Sequence, residues 1–340
     1  MKKIVTFGEI MLRLAPKGYL RFLQKPEFEA TFGGGEANVA VSLANFGADV
    51  TFITKLPQND IGEAAVRDLR KYGVDTSMIT RGGDRVGIYY LEKGASQRPS
   101  KVIYDRAWSS ISQAAEEDFN WNEIFADAQW FHFTGITPAL GKNVARICME
   151  AVKVAKRQGL TVSCDLNYRK NLWTTEEAGQ TMGELMQYVD VCIANEEDAE
   201  KVFGIHAEGT DVTKGSLSKE GYVQVAQKLK DRFGFKYVTI TLRTSISASD
   251  NKWAAMLYNG KESFFSKEYT VHIVDRVGGG DSFGAGLIYS MVSDMQDQEC
   301  LEFAVAASCL KHSIEGDFNR VTVKEVLSLA GGDGSGRVQR

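Results

Sequence analysis

The sequence has few of the residues from which disulfides and metal centres are built. It contains five cysteines and four histidines in 340 residues. The cysteine count is odd and no C-x-x-C pair occurs, which favours a reducing compartment over a disulfide framework. The histidines (His132, His206, His272 and His312) do not have metal-ligand spacing. His132 lies in an apolar run, so we expect it to be a core residue.

Long apolar runs and an excess of positive charge are also missing. No stretch is apolar enough to span a membrane, and Glu9 and Arg13 interrupt the short apolar run near the N-terminus, so no signal peptide is expected. The net charge is -4, from 40 basic and 44 acidic residues, and the pI is about 5.8. No basic stripe is visible, which argues against nucleic acid as a partner. We therefore expect a cytoplasmic protein that binds neither nucleic acid nor membrane.

The remaining composition is that of a globular α/β protein, with 44% hydrophobic and 25% charged residues. Apolar strand-like runs alternate with helical patterns, and this alternation predicts a mostly parallel sheet covered by helices on both faces. The predicted strands are 3–8, 50–55, 129–134, 160–165, 189–194 and 237–242. The predicted helices are 36–46, 61–72, 138–157, 176–188, 196–203, 220–233, 278–293 and 299–313.

Two segments, at about 11–31 and 85–108, interrupt this alternation. Within the second, residues 87–92 and 101–106 alternate along the chain and contain aromatic and β-branched side chains. We expect a small antiparallel sheet inserted discontinuously into one domain of residues 1–330, acting as a lid or as an oligomer contact. A homo-oligomer formed through this sheet is the expected assembly. The tail, residues 331–340, is rich in glycine and charge and is expected to be disordered.

The strongest motif is D-R-V-G-G-G-D-S-F-G-A-G at residues 275–286. Consecutive glycines at the start of a helix leave backbone N–H groups open, and the positive end of the helix dipole adds to them, forming an anion site. Asp281 lies beside that site, where it could accept the proton of an attacking hydroxyl. The alternative is an ordinary capped helix, because Asp is favoured in a first turn.

Together with G-G-G-E-A-N at residues 33–38, this motif resembles the two signatures of the PfkB, or ribokinase-like, carbohydrate kinases. The resemblance covers about residues 3–329. It implies a three-layer α/β sandwich with a small antiparallel β lid, and the cofactors ATP and Mg²⁺, with a monovalent cation as a further option. It implies that Asp281 is the catalytic base. Gly278, Gly279 and Gly280 would form the anion hole, and Gly34, Gly35 and Asn38 would line the sugar pocket.

The family also has an Asn-x-x-Glu motif linked to magnesium and phosphate. Asn195 matches its first position, but the fourth is Asp198, so the resemblance implies a shorter acid that would hold the metal through water. Asn167, Thr241 and Arg243 would lie beside the nucleotide. A charged first turn of a helix is the alternative interpretation for the acids at 196–200.

The side chains predicted at the sugar pocket suit an acidic substrate. Tyr104 and Arg106 would share one face of a strand, with Tyr89 on the neighbouring strand, and Arg169 follows the end of the strand at 160–165. Arginines bind carboxylates through paired hydrogen bonds. This pattern resembles the branch of the family that acts on 2-keto-3-deoxygluconate, in which Arg169 would lie between the sugar and ATP and contribute to transfer.

Alternatives remain open for residues and for function. Arg106 could be a solvated charge at a strand edge, Arg169 could pair with a neighbouring acid, and Tyr90 could face the sugar in place of Tyr89. The protein could instead be a family kinase for fructose, ribose, 5-keto-2-deoxygluconate or a nucleoside, or a non-catalytic sugar-acid sensor. A dinucleotide-dependent dehydrogenase is disfavoured, because no glycine fingerprint follows the first strand at Gly8.

Overall fold

The computed structural model describes residues 3–24, 27–207, 218–334 and 336. Its strands are β1 (Lys3–Phe7), β2 (Met11–Ala15), β3 (Glu29–Gly33), β4 (Val50–Ile53), β5 (Lys55–Leu56), β6 (Thr80–Arg81), β7 (Gly87–Glu92), β8 (Lys101–Asp105), β9 (Ala128–Thr134), β10 (Thr161–Asp165), β11 (Val191–Asn195), β12 (Tyr237–Ser245), β13 (Asp250–Tyr258), β14 (Ser263–Phe265) and β15 (Tyr269–His272). Its helices are α1 (Gly35–Asn45), α2 (Asp60–Lys71), α3 (Trp121–Ile124), α4 (Lys142–Arg157), α5 (Thr175–Leu185), α6 (Glu196–Phe203), α7 (Lys219–Phe233), α8 (Gly279–Val292), α9 (Asp297–Lys311) and α10 (Val323–Ala330).

The main sheet of the described chain has nine strands, in the order β14-β13-β12-β11-β10-β9-β1-β4, with β15 also paired to β13. The strands from β12 to β4 are parallel, as predicted. At the other edge, β13 runs antiparallel to β12, β14 and β15. Because parallel strands end at the same edge, the residues that follow β10 and β11 share one side of the sheet with the end of β9.

Helices cover both faces of this sheet, and each face has its own apolar core. Successive residues of one strand point to opposite faces, so Phe131 and Phe133 of β9 enter one core while Trp130 enters the other. The first core includes side chains from α3 to α7, and the second includes side chains from α1, α2 and α8 to α10. This is the predicted three-layer sandwich, and the fold prediction is confirmed.

The lid is a four-stranded sheet in the order β3-β2-β7-β8. Its outer pairs, β2–β3 and β7–β8, are antiparallel, while the central strands β2 and β7 run parallel. Tyr89 of β7 lies opposite Tyr104 of β8. The sheet is therefore built from the two segments that interrupt the helix–strand alternation.

Several predicted boundaries differ from the structure. The helix expected at 138–157 is a 3₁₀ turn, Pro138–Leu140, followed by α4, because Gly141 between them is extended. The helix expected at 176–188 ends in a second 3₁₀ turn, Met186–Tyr188. Within the described part of the chain, no helix is long and apolar enough to cross a membrane. Of the tail predicted to be disordered, residues 335 and 337–340 lie outside the described residues.

Candidate active site

A cleft of about 890 Å³ lies between the lid and the edge at which the parallel strands end. It is bordered by the ends of β10 and β11, the N-terminal turns of α1 and α8, and the inner face of the lid. The structure brings nearly all predicted site residues to this cleft: Gly34, Gly35, Asn38, Tyr89, Tyr104, Arg106, Asn167, Arg169, Asn195, Asp198, Thr241, Arg243, Gly278, Gly280 and Asp281. Gly279 is the exception, because it packs against the ring of His312.

The glycine turn before α8 has a conformation that other residues would not tolerate. Gly278 has a φ of 83°, and a Cβ there would lie 2.1 Å from the carbonyl oxygen of Asp317. A Cβ on Gly279 would lie 2.6 Å from Cε1 of His312, and the Gly279 N–H donates to the Arg276 carbonyl at 3.3 Å. The N–H groups of Gly280 and Asp281 belong to the first helical turn, which has no intrahelical acceptor for them. The turn can therefore bind an anion, though Gly279 contributes packing rather than a free donor.

Asp281 is held at the mouth of this turn by a contact from another helix. Nδ2 of Asn38 donates to its carboxylate at 2.7 Å, and Oδ1 of Asn38 accepts the N–H of Gly34 at 3.2 Å. Burial is the main cause that raises the pKa of Asp281 to about 6, and Asp317 adds to it, while the Asn38 hydrogen bond opposes it. The N-cap of α8 is Gly278, which has no side chain to cap the helix, so Asp281 does not act as the helix cap. Its carboxylate therefore lines the cleft beside the open first turn of α8.

Two further acids lie near Arg169 in the cleft. Asn195 caps α6 by accepting the N–H of Asp198 at 2.9 Å, and one carboxylate oxygen of Asp198 accepts the N–H of Tyr168 at 3.2 Å. Burial raises the pKa of Asp198 to about 6. Burial also raises the pKa of Asp165 well above its usual value, and the nearby negative charges of Asp198 and Asp281 raise it further.

Arg169 opposes these shifts in pKa, but it forms no ion pair within 4.0 Å among the described residues. Arg169 therefore has no close ion pair with a neighbouring acid in the described part of the chain, although its charge acts on Asp165, Asp198 and Asp281. The described residues also contain no group of three His, Cys, Asp or Glu side chains that could hold a metal. The side chain of Glu196 lies outside the description.

Arg106 is paired with an acid that the sequence analysis did not identify. Its Nε and Nη2 atoms donate to one oxygen of Glu9 at 2.9 and 2.5 Å, and Ser109 donates to the other oxygen at 2.7 Å. The guanidinium carbon also lies 5.0 Å from the centre of the Tyr104 ring. Arg106 is therefore a half-buried, oriented cation and not the solvated strand-edge charge that was the alternative.

Tyr89 faces the cleft, while Tyr90 packs against Phe28 with ring centres 5.8 Å apart. The Tyr89 hydroxyl donates to Asp317 at 2.6 Å, and Arg13 joins the same acid at 2.7 Å. Arg13 also donates to Asp275 at 2.5 Å. This buried network, Arg13–Asp275–Asp317–Tyr89, connects lid strands β2 and β7 to the loops on either side of α8 and α9. Sequence reasoning singled out Asp275 by its place in the motif, but no local signal identified Arg13 or Asp317.

Glu36 lies in the glycine motif at residues 33–38, and the sequence alone assigned it no role. One of its carboxylate oxygens accepts the N–H and the hydroxyl of Thr134, both at 2.9 Å, and the hydroxyl of Thr137 at 2.5 Å. Burial raises its pKa to about 7. Glu36 therefore attaches the first turn of α1 to the end of β9, which positions Asn38 two residues further along the helix.

On the other side of the cleft, backbone conformation shapes the residues predicted beside the nucleotide. Asn167 has a φ of 38°, a left-handed conformation that Asn tolerates better than most residues. Its N–H donates to Asp165 at 3.1 Å, which fixes the turn after β10. Thr241 and Arg243 lie on β12 with two-residue spacing, and both line the cleft.

Comparisons with known proteins agree with this geometry. The family model "pfkB family carbohydrate kinase" matches residues 1–319. The chain therefore belongs to the PfkB family and is a carbohydrate kinase. This membership excludes the dehydrogenase interpretation and confirms the family resemblance seen in the two glycine motifs.

The relatives include kinases for two closely similar sugar acids. The chain is 30% identical to a 2-dehydro-3-deoxygalactonokinase of Haloferax volcanii, over 97% of this chain and 98% of the relative. It is 55% identical to a crystal structure of 2-dehydro-3-deoxygluconokinase from Thermotoga maritima, with a TM-score of 0.94 over 97% of this chain and 98% of the other. A putative ribokinase II from E. coli in complex with ATP and Mg²⁺ shares the fold, with 18% identity and a TM-score of 0.80 over 97% of this chain and 99% of that one.

Proposed function

We propose that this kinase transfers the γ-phosphoryl group of ATP to the 6-hydroxyl of 2-keto-3-deoxygluconate, with Asp281 as the catalytic base. The observation that carries this proposal is the Asp281 carboxylate, which Asn38 holds at 2.7 Å beside the open N-terminal turn of α8. Asp281 accepts the proton as the sugar oxygen attacks phosphorus. The free N–H groups of the turn and the Arg169 guanidinium stabilise the negative charge on the transferring group.

Magnesium and ATP fit the part of the cleft that contains Asp198. The half-buried Asp165 and the buried Asp198 repel each other as like charges, and a divalent cation nearby would relieve this repulsion. A single acid facing the metal is expected where phosphates and waters supply the other ligands. We assign Asp198 to hold the hydrated metal, and Asn167, Asn195, Thr241 and Arg243 to the nucleotide. Magnesium supplies charge neutralisation on the phosphates.

The substrate carboxylate is assigned to the lid side of the cleft. Glu9 uses two of the Arg106 nitrogens and fixes the guanidinium, so the remaining Nη1 is oriented for an anionic oxygen. The Tyr104 ring lies beside the guanidinium, and Tyr89, Gly34 and Gly35 also line the cleft. Gly34 packs on the lid side of the protein itself, since a Cβ there would lie 1.9 Å from the Glu9 carbonyl oxygen. Glu9 offsets part of the positive charge of Arg106 but fixes its guanidinium, so the carboxylate meets an oriented cationic donor.

A coupled assay of ADP formation tests the substrate. We expect 2-keto-3-deoxygluconate to have a higher kcat/KM than 2-keto-3-deoxygalactonate, its epimer at C4, and both to exceed 5-keto-2-deoxygluconate, ribose, nucleosides and fructose. Arg106→Met should raise KM for the keto acids about tenfold or more, with little change for a neutral sugar. Arg85→Met is the matched control, because Arg85 pairs with Asp105 outside the lining of the cleft. A preference for fructose would refute the proposed substrate.

We also propose that the protein acts in the cytoplasm as a homo-oligomer assembled through the lid. Lid strand β8 is exposed along its whole length, and Val102 and Ile103 are 41% and 45% exposed. An exposed apolar edge strand is usually covered by a partner. Light scattering of the wild type and of Ile103→Lys tests this. A wild type that is monomeric at micromolar concentration would refute it.

A further inference from the structure

Arg276 is a cation in the cleft to which neither glycine motif assigns a role. It lies two residues before Gly278, and its Nη2 donates to the carbonyl of Ala248 at 3.0 Å. Its Nε is buried without a hydrogen-bond partner. The carboxylate of the adjacent Asp275 is used elsewhere, because it accepts bonds from Arg13, Val277 N–H and Gly316 N–H. Arg276 therefore lines the cleft with only a neutral carbonyl as its partner.

Arg243 brings a second positive charge to the same place. It lines the cleft from β12, and neither Arg243 nor Arg276 forms an ion pair within 4.0 Å in the described parts of the chain. Burial lowers the pKa of Arg276 and the charge of Arg243 lowers it further, while the adjacent Asp275 opposes both effects. The neighbouring His312 has its pKa lowered to about 4, mainly by burial and also by the charges of Lys311, Arg276 and Arg243. Unpaired cations close together are unfavourable unless an anion lies between them.

A neutral donor in this region also has no acceptor. Trp253 is 6% exposed and lines the cleft, and its Nε1 has no hydrogen-bond partner. An indole nitrogen can only donate, so the missing group is an acceptor. Trp253 is the register partner of Arg243 on β13, and its ring centre lies 5.2 Å from that of His312, which packs on Gly279. Two cations and a free donor thus border the glycine turn.

We propose that Arg276 and Arg243 bind the phosphate chain of the nucleotide from two sides, which makes Arg276 a phosphate-binding residue of this kinase. This inference rests on the proposed function, because it takes ATP to be the donor. The neutral adenosine part of the nucleotide would not compensate two positive charges, whereas its phosphates would. The remaining anion that could fill the site is the carboxylate of the sugar acid.

Isothermal titration of the full-length protein distinguishes these ligands. MgADP and 2-keto-3-deoxygluconate are titrated separately into the wild type, Arg276→Gln and Arg276→Met. Arg276→Gln removes the charge and keeps an N–H donor on a shorter side chain, whereas Arg276→Met removes both. Arg146→Gln is the control, since Arg146 pairs with Glu116 at 3.0 Å on the exposed surface. We expect both Arg276 variants to bind MgADP at least about tenfold more weakly, with an unchanged Kd for the sugar acid.

Thermal unfolding gives a second readout that a purely structural role would not produce. Removing a half-buried cation that has no ion pair should raise the Tm of the free Arg276→Gln protein while reducing the Tm increase caused by MgADP. Wild-type affinity for MgADP in Arg276→Gln would overturn the inference, as would a loss confined to the sugar acid. A wild type that binds neither ATP nor ADP would instead contradict the proposed function itself.

Discussion

Replacing Asp281 by Asn should inactivate the enzyme and also stabilise the ligand-free protein. The substitution keeps the shape of the side chain, and an amide oxygen can still accept the hydrogen bond that Asn38 donates at 2.7 Å. It removes only the ability to accept a proton at the carboxylate. The variant therefore separates the chemical role of Asp281 from its role in packing.

The two effects can be estimated from the structure. Loss of a general base costs about 10²- to 10⁴-fold in kcat, or about 3–5 kcal/mol of barrier. The pKa of Asp281 is raised from 3.8 to about 6, so its ionisation opposes folding. This penalty is absent below pH 3.8 and complete above about pH 6. At neutral pH the penalty is about 3 kcal/mol, and partial solvent exposure reduces it to about 2 kcal/mol.

The assays are steady-state kinetics from pH 5 to 8 and thermal unfolding at pH 7. We expect the wild-type kcat/KM to fall below about pH 6, since Asp281 then becomes protonated. Asp281→Asn should lose this acid limb together with kcat, keep KM for ATP within about twofold, and gain roughly 3–6 °C in Tm.

The Asp198 carboxylate could also cause a fall in activity at low pH, because its pKa is raised to about 6 as well. The variant Asp198→Asn is therefore the control. Asp198→Asn should make the rate depend on higher magnesium concentrations. Its kcat/KM should still fall below about pH 6, because Asp281 is unchanged. If Asp281→Asn turned over the sugar acid at an undiminished rate, the assignment of Asp281 as base would be wrong. A variant that loses kcat but also loses stability would show that the carboxylate is needed for folding, against the electrostatic argument.

Three further predictions concern residues that shape the site. Arg13→Met should lower the free energy of unfolding in urea by about 3–5 kcal/mol, because Asp275 and Asp317 would remain buried and unpaired. Arg13→Lys should not restore stability, since a single ammonium group cannot replace the two-pronged guanidinium. Gly278→Ala should cost at least about 2 kcal/mol and most of kcat, because its φ is 83° and a Cβ would lie 2.1 Å from a carbonyl oxygen; wild-type kcat in this variant would contradict that. Glu36→Gln should become more stable relative to the wild type by about 2–3 kcal/mol between pH 5 and 8, since burial raises the Glu36 pKa to about 7; a pH-independent difference would refute this.

Local sequence patterns predicted those strands and turns whose residues are consecutive in the chain. The apolar runs at β9 and β11 and the glycine turn before α8 could be identified from a few consecutive residues, and the structure has them where they were expected. Strand β13 was missed, although it continues from β12 through a tight turn. The sequence W-A-A-M-L at 253–257 fits a buried strand, but a serine-rich turn precedes it and no helix separates it from β12, so the regular alternation of strand and helix is interrupted there.

The site residues that the sequence did not predict were missed for one physical reason. Glu9, Arg13 and Asp317 have less than 5% of their surface exposed, yet each follows an unremarkable stretch of sequence. Their roles depend on partners far along the chain: Asp317 binds Arg13 of β2 and Tyr89 of β7, which are separated from it by more than two hundred residues. A charge that is paired only after folding leaves no local signature, so such pairs are visible only in the structure.

The charged residues of the cleft are less completely paired than those of the Arg13 network. In the Arg13 network both carboxylates are paired with the guanidinium, although burial still raises the pKa of Asp317. Asp165, Asp198 and Asp281 in the cleft have raised pKa values without a close ion pair among the described residues, and Arg276 has a lowered one. Both kinds of shift mean that the charged form is unfavourable before ligands bind. A metal ion would relieve the acids and a phosphate chain would relieve the arginine, so the same groups that weaken the free protein contribute to binding. This is why Asp281→Asn and Arg276→Gln, which remove opposite charges, are both expected to raise the Tm of the free protein and to impair a ligand-dependent step.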